Sequence, residues 1–353
     1  MNNKRNSNIE ILRLISMLII VISHYIVHSS LDVRLLPLSF NKFLLSLNIG
    51  NIGTVLFMLI TGYYLIDSKN IKLSKIVKLW LQVLFYSLGI YLIFILTNNQ
   101  PFIFKDLIKY ITPISSNIYW FMTVYTIIYL FHPYINILLT KLSKKEYHKL
   151  IIMLLFIFSL LGLFTTNIYY CNELGQCLIF YIIGAYLKLY KHNIFNNNKL
   201  NYLILIICII TLILSTIFYN YLEVVYFKFN PNGLYNRNSI IVIMLSISIF
   251  NLFINKRVYI NKFVNLLGSC TLGIYLLSEH PLMKDYLWLN IFNNKKYIYS
   301  NSLILHLIIS VLIVYILSLL IELLRKITLD IIYDKKVSKL INNLELKLNK
   351  IIK

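Results

Sequence analysis

Ten stretches of roughly 20 predominantly apolar residues constrain this chain more than anything else in it. They lie near 9–29, 47–67, 76–97, 118–140, 149–166, 174–190, 200–221, 238–255, 264–284 and 302–324. Each is long enough to cross the roughly 30 Å of hydrocarbon in a bilayer. There every backbone N–H and C=O must be paired within the protein, and for a single apolar segment that means an α-helix. The breaks between the stretches carry Asn, Lys and Pro, as in TNNQPF, KLSKKEYHK and YKHNIFNNNK. Charged residues make up 13% of the 353, about half the share of a soluble domain, too few to coat a water-facing surface. The expected fold is an all-α, polytopic membrane bundle of about ten transmembrane helices. The first apolar segment has no small-residue cleavage site, so it reads as a span rather than a secretory signal.

The net charge of +21 suggests a nucleic-acid partner until its distribution is examined. With ten spans, 24 of the 34 lysines and arginines fall on the side that holds both termini, and 9 on the other. That asymmetry is the positive-inside pattern and predicts cytoplasmic N- and C-termini in a multi-pass cell-membrane protein, with no nucleic acid. The expected organisation is a membrane domain over 1–325 followed by a basic tail over 326–353. In the tail, Val337, Leu340, Ile341, Leu344, Leu348 and Ile351 recur at helical spacing between lysines. This suits an amphipathic helix on the anionic cytoplasmic leaflet, and equally a solvated helix. Cys171, Cys177, Cys208 and Cys270 show no metal-ligand spacing, and thiols in apolar helices are ordinarily inert packing.

Within the first span, ILRLISMLIIVISHYIV places Arg13 and His24 in otherwise lipid-soluble sequence. Eleven residues at 100° each return His24 to within about 20° of the face of Arg13, with about 16.5 Å of rise between them. One stripe of the helix thus carries a permanent cation near its cytoplasmic end and an imidazole toward its outer half. Intramembrane ionisable groups usually face a protein interior or a water-filled cavity. Arg13 also fits an interfacial arginine that snorkels to the surface, with Glu10 a turn away as its partner. His28 adds an i,i+4 imidazole pair with His24, but the helix supplies no carboxylate for an H-E-x-x-H-type set, so no metal is expected.

The Arg-x10-His opening resembles the first helix of acyltransferase family 3, and further landmarks follow in order. LFMLITGYYL (56–65) is similar to the family's FF-x-x-SG-(F/Y) segment, with Thr61 in place of serine. YWFMTVYTIIYLFHPYIN (119–136) resembles its YWF-x-x-x-Y…YL-x-x-P-x-x-N helix, and FYIIGAYLKLY (180–190) its GAY segment. LGSCTLGIYLLSEHPLM (267–283) is similar to the late G-x-x-T-x-GIYL-(I/L)-H helix, departing from it by having Ser278 at the histidine position, then Glu279 and His280. Lysines 69, 72, 75 and 78 stand where many members carry an arginine pair.

The resemblance implies an integral membrane O-acyltransferase that moves an acyl group, usually acetyl, from a cytoplasmic thioester to hydroxyls of sugars or polysaccharides outside. The implied donor substrate is acetyl-CoA. The implied acceptor is a capsular, cell-wall or other surface glycan, or a lipid-linked sugar. His24 becomes the candidate general base and Arg13 the candidate donor-binding cation, steered by Glu10. Thr61, Tyr63, Trp120 and Ser278 are candidate oxyanion donors by motif position, and Glu279 and His280 candidates for an acceptor entrance. Arg237 and Glu223 are weaker acceptor contacts, and His132 and His306 are expected to pack. Direct transfer and an acyl-enzyme both stay open at this level. A polysaccharide transporter or flippase is the main alternative; repeats or midplane-broken helices are not evident in the sequence.

Overall fold

The computed structural model describes residues 5–29, 33, 36–160, 172–190, 194–226 and 234–330, with three further positions at 333, 337 and 341. These residues form helices and turns, with no strand among them. In chain order the α-helices are α1 (Ser7–Val27), α2 (Phe40–Ser46), α3 (Gly50–Leu65), α4 (Leu73–Leu96), α5 (Phe104–Ile111), α6 (Trp120–Lys141) and α7 (Lys144–Leu155). There follow α8 (Glu173–Leu189), α9 (Asn198–Tyr226), α10 (Ile240–Ile254), α11 (Lys262–Gly268), α12 (Thr271–Ser278), α13 (Pro281–Asp285) and α14 (Leu303–Arg325). The described parts of the apolar stretches are mainly helical, and six helical segments among the described residues are long and apolar enough to span a membrane. The protein is therefore an all-α polytopic bundle. Most of the basic tail lies outside the described residues, as do Cys171 and the side chain of Glu223.

The centre of the bundle is assembled through small residues. A Cβ added at Gly53 of α3 would lie 2.5 Å from the Ser16 carbonyl of α1, and one at Gly50 would lie 2.4 Å from Ser23 Cβ. On its other side α3 meets α8: a Cβ at Gly62 would sit 2.0 Å from the Tyr181 carbonyl, and one at Gly184 would sit 2.3 Å from that of Leu59. Lipid tails provide no hydrophobic drive for helices to associate, so close backbone approach through small residues supplies packing instead. Gly62 and Gly184, both inside the motif segments, are thus the contact points of two helices. Asn136 of α6 locks the same region: its Nδ2 donates to the carbonyls of Leu65 (2.7 Å) and Ser68 (3.0 Å), and its Oδ1 accepts from Tyr181 Oη (2.6 Å).

The periphery differs. α9 and α14 turn Ile206, Ile207, Leu214, Phe218, Leu305, Ile316 and Leu324 outward. In a membrane these apolar faces meet lipid, which is why the two helices are apolar nearly all round. The ninth apolar stretch is not one helix: it breaks at Ser269 and Cys270, and again after Ser278, where Pro281 opens α13. The residue before a proline is pushed out of the helical region, and His280 accordingly has φ −56° and ψ 130° while Glu279 keeps φ −100° and ψ −6°. That change of backbone direction positions the site.

Candidate active site

α1 crosses the bundle with Arg13, Met17, Ile20, His24 and His28 along a cavity of about 700 Å³. The 3.6-residue helical period lines these positions up, so the stripe carrying Arg13 and His24 becomes one wall of a single space. The opposing walls come from α3 (Thr54, Thr61), α4 (Lys75, Lys78, Gln82), α6 (Trp120, Phe121, Tyr125), α12 (Thr271, Tyr275) and the end of α14 (Glu322, Arg325).

At one end stands His24, buried, with both ring nitrogens engaged. Nδ1 lies 3.1 Å from Ser278 Oγ, and Nε2 lies 3.0 Å from Glu279 Oε2. A neutral imidazole donates from one nitrogen and accepts at the other: either Nδ1–H donates to Ser278 Oγ, which itself donates to the Ile274 carbonyl (2.8 Å), or Nε2–H donates to the Glu279 carboxylate. His28 Nε2 approaches the same carboxylate oxygen at 2.9 Å. Tyr275 stands 6.5 Å from His24, ring centre to ring centre, and its buried hydroxyl, approached by the Phe121 backbone, donates to no group among the described residues.

At the other end the walls are cationic. Arg5, Arg13, Lys75, Lys78, Arg325 and Lys326 all line the cavity. Arg325 is committed to structure: it makes a two-pronged contact with Glu322 (2.8 and 2.9 Å) and a third to Asp330 (3.0 Å). Glu322, 1% exposed, also accepts from Gln82 Nε2 (2.9 Å) and Tyr86 Oη (2.8 Å). Arg13 is held far more loosely. Its one acid contact among the described residues, to Glu10, is 3.5 Å long, and its side chain is 31% exposed.

Of the residues singled out in the sequence, the structure brings Arg13, His24, Thr61, Trp120 and Glu279 onto one cavity. It places others elsewhere. Glu10 backs Arg13 from outside the lining, beneath Gly268, where an added Cβ would strike its carboxylate at 2.5 Å. Tyr63 packs on Phe250 with Lys188 over its ring at 4.8 Å. Ser278 is fully buried behind His24. His280 is turned away: its Nε2–H donates to the Ser87 carbonyl (3.2 Å), its Nδ1 accepts from Leu282 N–H (3.2 Å), and its ring stacks on Tyr110. It is a packing residue with both nitrogens spent, which corrects its expected place beside Glu279 at an acceptor entrance. Thr61 reaches the cavity, but its hydroxyl donates back to the Phe57 carbonyl (2.8 Å). At the His24 end Arg237 lies over the Trp120 indole at 4.3 Å, and Phe121 joins Trp120 to Tyr275 edge-on, at 6.0 Å.

Sequence reasoning missed three features. The carboxylate absent from the His24–His28 helix face is present in space, supplied by Glu279 from 251 residues away. Tyr275 was read only as part of a motif. The Glu322–Arg325 pair was legible as opposite charges three residues apart in an apolar span, but was passed over. Searches among curated proteins and among solved structures give no match. The family model for the acyltransferase domain does match, over residues 6–323, and with nearly the whole chain covered, the chain belongs to acyltransferase family 3.

Proposed function

We propose that this membrane acyltransferase takes acetyl from cytoplasmic acetyl-CoA and transfers it to a hydroxyl of an extracytoplasmic glycan, with His24 as general base. The observation that carries the reading is the single cavity with cations at the Arg13 end and a base at the His24 end. A coenzyme A thioester is anionic at its nucleotide and slender and neutral along its pantetheine arm. Arg5, Arg13, Lys75 and Lys326 suit the first part, and the α1 stripe suits the second. The positive-inside charge distribution supports cytoplasmic termini and hence a cytoplasmic cationic end.

The chemistry balances without a metal or a protein nucleophile. His24 accepts the proton of the sugar hydroxyl as its oxygen attacks the thioester carbon, the hydroxyl taking the place of one of the ring's protein partners, and the adjacent Glu279 carboxylate stabilises the imidazolium that forms. The carbonyl oxygen becomes the oxyanion of a tetrahedral intermediate. Tyr275 is the best-suited donor to it: its hydroxyl donates to no group among the described residues, while those of Thr61 and Ser278 are bonded to their own helices. Collapse breaks the C–S bond, and the thiolate takes the proton back from His24, leaving an ester, free coenzyme A and the base regenerated. Trp120 and Arg237 offer a flat, cationic surface for the acceptor at this end.

His24→Ala is expected to lower labelled-acetyl transfer from acetyl-CoA to surface glycan by about 10²–10⁴-fold, the usual contribution of a general base. The assay uses membranes containing equal amounts of inserted protein. Wild-type transfer by that variant would overturn the assignment. Movement of lipid-linked glycan without acyl-CoA turnover would favour the transporter reading instead.

A further inference from the structure

His24 Nε2, His28 Nε2 and Glu279 Oε2 converge on one point. The carboxylate oxygen lies 3.0 Å from His24 Nε2 and 2.9 Å from His28 Nε2. Two imidazole nitrogens and a carboxylate oxygen this close are bridged either by protons on the nitrogens or by a metal ion.

We propose that the three side chains form a divalent transition-metal site, with Zn²⁺ as the fitting ion. The ligand set is two imidazoles and one carboxylate, a combination that holds zinc while leaving a fourth position open. The imidazoles are four residues apart, His24 in the last turn of α1 and His28 at its C-cap, and the carboxylate comes from Glu279, the C-cap of α12. All three ligand atoms lie within 4.8 Å of one another, with 2.9 and 3.0 Å from the carboxylate oxygen to the two nitrogens. Zinc bonds of about 2.0–2.1 Å in a tetrahedron set ligand atoms about 3.3–3.4 Å apart, so the carboxylate must draw back by a few tenths of an ångström and the two imidazoles, within 4.8 Å, must settle at the same spacing. An outer-shell partner is in place as well: with Nε2 on the metal, Nδ1 carries the ring proton, and Ser278 Oγ stands 3.1 Å away to accept it. All three ligands line the cavity, so the fourth position faces the space where the acceptor is proposed to bind. Nitrogen ligands select zinc over Mg²⁺ and Ca²⁺, which prefer oxygen.

A consequence rests on the general-base reading. A bound ion occupies the lone pair that His24 uses, so the zinc-loaded protein is an arrested form that chelation releases.

The test is equilibrium dialysis of the full chain, purified in detergent and stripped with a chelator, against buffered Zn²⁺ and separately against Mg²⁺, with bound metal counted by mass spectrometry. One zinc per chain and no retained Mg²⁺ are expected. His28→Ala is expected to abolish that stoichiometric retention, and Ser278→Ala to weaken zinc binding by about 10–100-fold, as the loss of an outer-shell partner does. No zinc above the level of a His24→Ala/His28→Ala/Glu279→Ala variant overturns the site, as does equal retention of Mg²⁺. Acetyl transfer measured on the same samples separates the two proposals. Inhibition by zinc, relieved by chelator and absent in His28→Ala, supports both. Stoichiometric binding with activation keeps the metal site and overturns His24 as a free base.

Discussion

The two ends of α1 carry the two polar residues of one stripe, and the bundle treats them in opposite ways. His24 is buried and fixed on both ring nitrogens, by Ser278 at 3.1 Å and Glu279 at 3.0 Å. Among the described residues Arg13 has one acid contact, at 3.5 Å, and it leaves nearly a third of its side chain exposed. A group that must present one lone pair to a reacting atom gains from being held in one orientation before substrate arrives, because positioning lowers the barrier. A cation that must close on an anionic ligand gains from slack, since a tight internal ion pair would have to be broken first. Arg325, a few residues from the lining lysines, shows the contrasting case: three short contacts to Glu322 and Asp330 make it part of the scaffold.

This contrast is open to measurement. Tyr275→Phe removes a hydroxyl at the fixed end and little else, and is expected to lower kcat by about 10²–10³-fold, the cost of losing one oxyanion donor, with the KM for acetyl-CoA little changed. A KM effect alone would move Tyr275 from the reacting centre to substrate binding. Arg13→Ala, at the slack end, is expected to act mainly on the donor, raising the KM for acetyl-CoA about tenfold, equivalent to 1.4 kcal/mol of binding. A fall in kcat with KM unchanged would instead tie Arg13 to the chemistry. Tyr63→Phe touches neither end and is expected to leave transfer within about twofold, in line with surface-type substitutions worth under about 0.5 kcal/mol. A large loss there would extend the site to the α3–α10 contact at Phe250.

Other motif residues turn out to serve the frame. Gly62, Gly184 and Asn136 stand in segments that carry the family resemblance, yet they bring α3, α6 and α8 together rather than line the cavity. A family motif in a membrane bundle thus mixes residues that react with residues that let helices touch, and only coordinates separate the two. The consecutive residues Glu279 and His280 show this most sharply. Pro281 forces His280 out of the helical region, so Glu279 faces His24 while His280 stacks on Tyr110.

The sequence alone determined that the chain is a helical membrane bundle, because an apolar segment in lipid has no other way to pair its backbone. It also determined that Arg13 and His24 share a face, because the helical period is a local property. The tertiary structure decided what faces them. Glu279 meets His24 and His28 across 251 or more residues of chain, Tyr275 stands beside His24, and Glu322 claims Arg325. Those pairings depend on how α12 breaks and how α3 wedges between α1 and α8 through its glycines. Spacing along a helix carries no information about a neighbour that arrives from another span.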